Sequence, residues 1–107
     1  MVDDETRARV EAAFAACPRA RHLPPGQQGY AALDRALPIG HGQTNSQPRT
    51  VRDMLLALDV RPGHRVLDVG SGSGWTTVLL AYLVGPEGSV LGLERVRELV
   101  ERGAAAV

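Results

Sequence analysis

The apolar positions fall into six helical or strand-like blocks separated by polar and glycine-rich stretches. From Thr6 to Cys17, Val10, Ala13, Phe14 and Cys17 recur at i, i+3, i+4 and i+7, the spacing of one buried helical face. Asp3, Asp4 and Glu5 stand where they complement the helix dipole, and Pro18 ends the helix. Between Arg19 and Gln47 the pattern lapses: three prolines and several glycines with little periodicity predict ordered loop and turn, and a loop this long in a compact domain is usually functional or disordered. Pro48 then suits the first position of a second helix reaching about Asp59, with Val51, Met54, Leu55 and Leu58 as its apolar face.

Beyond the turn Arg61-Pro62-Gly63-His64, the short branched run Arg65 to Val69 predicts a strand. A glycine cluster follows, then Trp75 to Val84, apolar almost all round and stopped by Gly85-Pro86, as for a helix packed on a sheet. Ser89 to Leu93 predicts a second strand, and Arg95 to Ala106 another helix. The expected class is α/β: N-terminal helices, then a β-α-β-α unit with parallel strands and a right-handed crossover. One partial domain is expected over residues 1–107, with a helix and loop in 1–49 and a helix plus the β-α-β-α unit in 50–107.

Composition narrows the chemistry. With 107 residues, one core at most can form, near the size where it closes without disulfides or metals. No apolar run approaches the ~20 residues of a membrane span, and the acidic start lacks the features of a signal peptide, so the cytoplasm is the expected compartment. The lone Cys17 agrees. Twelve basic and 12 acidic residues balance, giving no electrostatic reason to expect nucleic acid or anionic lipid as a partner. All the cations are arginines, which excludes a phosphate-loop lysine and a Schiff-base mechanism. His22, His41 and His64 share no metal-ligand spacing and are expected on loops, with no metal site. Trp75 and Tyr82, seven residues apart on one helix, are expected to pack in the core.

The candidate site centres on Asp68-Val69-Gly70-Ser71-Gly72-Ser73-Gly74, between a strand and a helix, with Glu94 ending the next strand. Glycines at 70, 72 and 74 permit positive φ and let a ligand approach the backbone. Glu94 stands where such folds hydrogen-bond the ribose hydroxyls of an adenosine. The spacing is G-x-G-x-G rather than G-x-G-x-x-G, which favours a monoadenosyl cofactor over a dinucleotide. The bland alternative is a tight βα turn with a solvated acid.

A second motif, Leu37-Pro38-Ile39-Gly40-His41-Gly42-Gln43-Thr44-Asn45-Ser46-Gln47-Pro48, enters the second helix. Together with Arg65 through Trp75 and Leu93-Glu94-Arg95-Val96, it resembles the protein-L-isoaspartate O-methyltransferase family, over most of the chain from Arg21 onward. The resemblance implies a Rossmann-like S-adenosylmethionine-dependent methyltransferase fold, here truncated after the first β-α-β-α unit. It implies methyl transfer from S-adenosylmethionine to the carboxylate of L-isoaspartyl residues in damaged peptides or proteins. Thr44 and Ser46 then match hydroxyls at the meeting point of cofactor and substrate, and Asp68, Gly70, Ser71, Gly72, Gly74 and Glu94 belong to the cofactor side. Asn45 departs from the aliphatic residue usual there, and Ala32 from the tyrosine that often precedes the aspartate matched by Asp34.

Carboxylate methylation needs no general base, because the acceptor is already anionic; the site must supply alignment and exclusion of water. Ser46, just before the Pro48 helix, could hold a carboxylate with its hydroxyl and free amides, or Ser46 or Gln47 could simply cap that helix. Two parallel strands alone leave an edge and a sheet face poorly covered, which suggests self-association or a partner chain, and a non-catalytic nucleotide-binding unit is the alternative function.

Overall fold

The computed structural model describes residues 2–107. Four α-helices carry most of the regular structure: α1 (Asp4–Ala16), α2 (Pro48–Leu58), α3 (Trp75–Val84) and α4 (Arg97–Ala106). Strands β1 (Leu37–Gly40) and β2 (Gln43–Asn45) form an antiparallel hairpin, and β3 (Arg65–Val69) and β4 (Ser89–Leu93) a parallel pair.

Each helix begins where local chemistry permits. The Asp3 carboxylate accepts from the Thr6 N–H at 2.7 Å and caps α1. Pro48 opens α2, where its missing N–H leaves nothing unpaired, and Asp59 closes that helix in the left-handed conformation at φ 52°. Gly74 and Gly85 bound α3 at φ 89° and 69°, so the apolar run between them has a defined start and end. The β-α-β-α unit thus appears as the residue pattern predicts, with α4 starting at Arg97 rather than Arg95.

The stretch from Arg19 to Gln47 differs from the expected loop. It holds two short 3-10 helices, Arg19–His22 and Pro25–Tyr30, and then the β1–β2 hairpin. His41 and Gly42 form its turn, both with positive φ, and the register shifts between Pro38 and Gly40. Strands of four and three residues, one of them containing proline, are too short to print an alternating pattern.

Two apolar clusters organise the packing. The larger joins Val10 and Ala13 of α1, Val51, Leu55 and Leu56 of α2, and Leu79 of α3, with Val66 and Val90 of the sheet against it. Residues before and after position 50 therefore share one core. The smaller joins Leu37 and Ile39 of the hairpin to Leu23 and Leu99, so the hairpin is fastened to α4. On α2, Leu56 replaces the expected Met54 and Leu58 in the core; those two are 64% and 57% exposed. The helix meets α1 through Val51, Leu55 and Leu56, and its Met54 and Leu58 side turns toward an open cleft. Trp75 is buried as expected, whereas Tyr82 is exposed on the outer side of α3.

The parallel pair is covered on one face only. Val66, Asp68, Val90 and Gly92 face α3, while Leu67, Val69, Leu91 and Leu93 are exposed on the other side. No helix among the described residues is long and apolar enough to cross a membrane.

Candidate cofactor and acceptor site

The glycine loop leaves the end of β3 and turns back across the end of β4. Gly70, Gly72 and Gly74 all have positive φ, at 74°, 57° and 89°, the conformations expected from their type. The N–H groups of Gly70 and Ser71 donate to the Leu93 carbonyl at 2.7 and 3.0 Å, which ties the loop to the neighbouring strand end. A Cβ on Gly70 would meet nothing within 4 Å, so the loop presents open backbone at that point. At Gly74 the space is filled instead by α4: a Cβ there would lie 3.2 Å from Cα of Gly103. Gly74 is thus a packing glycine as well as a turn glycine.

Glu94, at the end of β4, clasps this loop. One carboxylate oxygen accepts from the Gly72 N–H and the other from the Val96 N–H, both at 2.9 Å. These backbone donors, Val96 first, hold its carboxyl below the usual glutamate range, so it is ionised near neutral pH. Each oxygen has a further lone pair for an incoming hydroxyl. Asp68 is oriented by the Thr77 hydroxyl, which donates to it at 2.8 Å. Gly92, opposite Asp68 in the register, makes room for this arrangement, because a Cβ there would fall 2.9 Å from the Thr77 oxygen.

The acceptor-side segment lies across a cleft from β3. Ser46, Met54 and Leu58 on one wall and Asp68, Val69 and Gly70 on the other line a cavity of about 670 Å³. The structure therefore brings Ser46, Asp68 and Gly70 to one space. Thr44 is exposed on β2 and is not among the residues lining that cavity, and Gly72 and Glu94 sit together at the far end of the glycine loop.

The start of α2 is more occupied than the sequence suggests. Pro48 has no N–H, the Arg49 N–H donates to the Asp34 carboxylate at 2.8 Å, and the Val51 N–H donates to the Gln47 carbonyl. Gln47 holds the cap position but its side chain reaches Asp34 and Thr50, not the first-turn amides. Asp34 supplies the cap from outside the helix, and Ser46 is left to the cleft.

Three site-supporting residues escape sequence reasoning. His22 is buried, not a surface loop histidine: its Nδ1–H donates to the Ser73 carbonyl at 2.8 Å, and the Ser73 hydroxyl donates back to the His22 carbonyl at 2.6 Å. Burial keeps its imidazole below the ordinary pKa. Arg19 and Asn45 are also buried and bonded to each other, with the guanidinium Nε 2.6 Å from the Asn45 side-chain oxygen. No local pattern marks one arginine among twelve as an interior one. Among the described residues, no three His, Cys, Asp or Glu side chains gather as a metal site.

A parallel β-α-β crossover with a glycine loop after its first strand and an acid ending its second defines a Rossmann-like nucleotide-binding fold. Comparison with known proteins makes the class more specific. The family model for protein-L-isoaspartate(D-aspartate) O-methyltransferase matches residues 4–107, and the chain belongs to that family. A protein-L-isoaspartate O-methyltransferase of Aeropyrum pernix is 53% identical over 96 residues, covering 90% of this chain and 37% of the relative. One of Methanothrix thermoacetophila is 47% identical over 93 residues, covering 87% and 44%. A Plasmodium falciparum protein described as a β-aspartate methyltransferase, solved in complex with S-adenosyl-L-homocysteine, superposes with a TM-score of 0.79 at 29% identity, covering 99% of this chain and 48% of that one. A further solved protein-L-isoaspartate O-methyltransferase gives 0.82 at 27%, covering 99% and 34%. The chain thus spans less than half the length of these relatives.

Proposed function

We propose that this chain binds S-adenosylmethionine on its glycine loop and presents the isoaspartyl carboxylate of a damaged peptide or protein to it from the Ser46 side of the cleft. One observation carries the reading: Ser46, from the segment particular to this family, and Asp68 and Gly70, from the cofactor-side motif, line the same cavity. The residues fit the cofactor. Gly70 leaves open space where a side chain would stand, a Cβ on Gly72 would meet only the Ile39 side chain at 3.5 Å, and Ser71 lies between them. The ionised Glu94 offers acceptors for ribose hydroxyls, with Asp68 and Gly74 fixing the two ends of the loop.

S-adenosylmethionine, when bound, supplies a methyl group on a cationic sulfur. The acceptor carboxylate is ionised at neutral pH, so the chain needs no general base and contributes alignment and dryness instead. Ser46 Oγ donates to the acceptor; Thr44, exposed on the adjoining strand and outside the cavity lining, meets only the part of the peptide that lies beyond the cleft. Met54, Leu58 and Val66 supply an apolar wall beside the meeting point, and the seated peptide completes the exclusion of water from this open cleft. Such methylation of isoaspartyl sites is a protein-repair reaction.

Titration of the full chain with S-adenosylmethionine in a calorimeter, repeated on Glu94→Ala, tests the cofactor half. Saturable binding that weakens at least about tenfold in the variant, the size expected from losing one hydrogen bond to a charged group, is the predicted result. Unchanged binding in Glu94→Ala would remove Glu94 from the site.

A second reading is favoured by the uncovered sheet face: a nucleotide-binding unit that acts only when another polypeptide or a second copy covers Leu67, Val69, Leu91 and Leu93. Cofactor binding without methyl transfer to isoaspartyl peptide would select it.

A further inference from the structure

We propose that Arg19 is the positioning residue of the acceptor side, holding Ser46 toward the cleft from behind without touching cofactor or acceptor. The inference rests on the function proposed above, and it starts from how the guanidinium is spent. Arg19 is 6% exposed and faces no carboxylate at bonding distance. Its Nε donates to the Asn45 side chain at 2.6 Å. One terminal nitrogen donates to the carbonyls of Ala31 and Leu33 at 3.2 and 3.0 Å. The other donates to those of Arg35, Asn45 and Ser46 at 2.7, 3.3 and 3.1 Å.

A buried cation is tolerated only when its donors are fully used, and here they are spent on the Asn45 side chain and on backbone carbonyls of two separate segments. The first segment, 31–35, carries Asp34, which caps α2; the second carries Asn45 and Ser46. Arg19 therefore pins both sides of the α2 entry at once. Within the second segment Asn45 points inward and is 7% exposed, so its neighbour Ser46 is turned outward, where it lines the cavity.

The anchor is tied to the cofactor side as well. The guanidinium carbon lies 5.6 Å from the ring centre of Trp75, the residue directly after Gly74. That indole is fixed by its own bond to the Cys17 carbonyl at 2.9 Å and by an edge contact with Phe14. Arg19 thus references the Ser46 segment to the first residue of α3, and hence to the glycine loop. A lysine has the charge but not the planar fork, so it can reach only part of this set.

The test is Arg19→Lys in the full chain, with calorimetric titration of S-adenosylhomocysteine and of an isoaspartyl peptide in its presence, and amide hydrogen exchange. Losing two or three of the bonds should weaken peptide binding about tenfold or more while cofactor affinity stays within about twofold. Exchange should quicken in 31–35 and 43–47 and not in α3. Parallel loss of both affinities, as from a merely structural defect, or unchanged peptide binding overturns the proposal. A wild-type chain that binds the cofactor analogue but no isoaspartyl peptide overturns the acceptor assignment itself, and this proposal with it. Should Arg19→Lys not fold by circular dichroism, Asn45→Ala removes only the Nε acceptor. It should give the same split at about threefold, and equal losses or none would be as damaging.

Discussion

Gly74→Ala probes the junction on which the cofactor side is built. The position has φ 89°, where an alanine is strained by roughly 1–2 kcal/mol. The added Cβ would also lie 3.2 Å from Cα of Gly103, with His22 Nδ1 at 3.7 Å. That first neighbour is helix backbone and cannot rotate away, so α4 must retreat by a few tenths of an ångström, at a further cost of about 1–2 kcal/mol. The sum, about 2–4 kcal/mol, is a large share of the ~5–15 kcal/mol that stabilises a typical domain. Urea unfolding followed by fluorescence of Trp75, the sole tryptophan and a buried one, measures it directly. Gly29→Ala is the control, because its Cβ would meet nothing within 4 Å and its backbone is not left-handed; its effect should stay within about 0.5 kcal/mol. Equal losses in the two variants would refute the claim that Gly74 is both strained and packed.

His22 should make stability depend on pH. Burial holds its folded pKa below the unfolded value near 6.5, so the unfolded chain binds more protons in that range; stability from this group is full above about pH 6.5 and declines as pH falls toward the folded pKa. Melting curves between pH 8 and about 5.5 should show a steeper decline for wild type than for His22→Gln, and coincident slopes would contradict this. Leu67→Asn with Leu91→Asn, both on the uncovered face, should each change stability by no more than about 0.5 kcal/mol. If that face joins copies of the chain, the pair abolishes any concentration-dependent association of wild type in sedimentation equilibrium; association that persists in the variant places the contact elsewhere.

The β3-α3-β4-α4 unit was legible because its apolar runs are dense and sharply bounded. Glycines stand at both ends of α3, and the branched strand Arg65–Val69 sits between turns. The glycine loop was legible too, since three glycines at alternate positions have a direct conformational meaning that the positive φ values bear out. The hairpin was not, because its turn pairs His41 with Gly42, and histidine is not the usual residue for a left-handed first turn position. Nor could periodicity choose which side of α2 is buried: Val51 and Leu55 suit the core with either Leu56 or Met54 and Leu58, and only the placement of α1 decides. Arg19, His22 and Asn45 were illegible for a related reason. Each is a polar side chain buried by distant partners, up to 51 residues away in sequence for His22 and Ser73. The family motif singled out Ser46 as a candidate, but only the fold shows that Asp34 occupies the helix start beside it.

The most direct test of the central claim is a two-step titration of the isotopically labelled full chain, followed by amide resonances: first S-adenosylhomocysteine, then a peptide containing isoaspartate or its ordinary aspartyl twin. Shifts should appear first at residues 70–72 and 94–96. The isoaspartyl peptide should then move residues 44–47 and the α2 side of the cleft, and the aspartyl twin should not. Equal shifts from the two peptides, or cofactor shifts that bypass the glycine loop, would contradict the account.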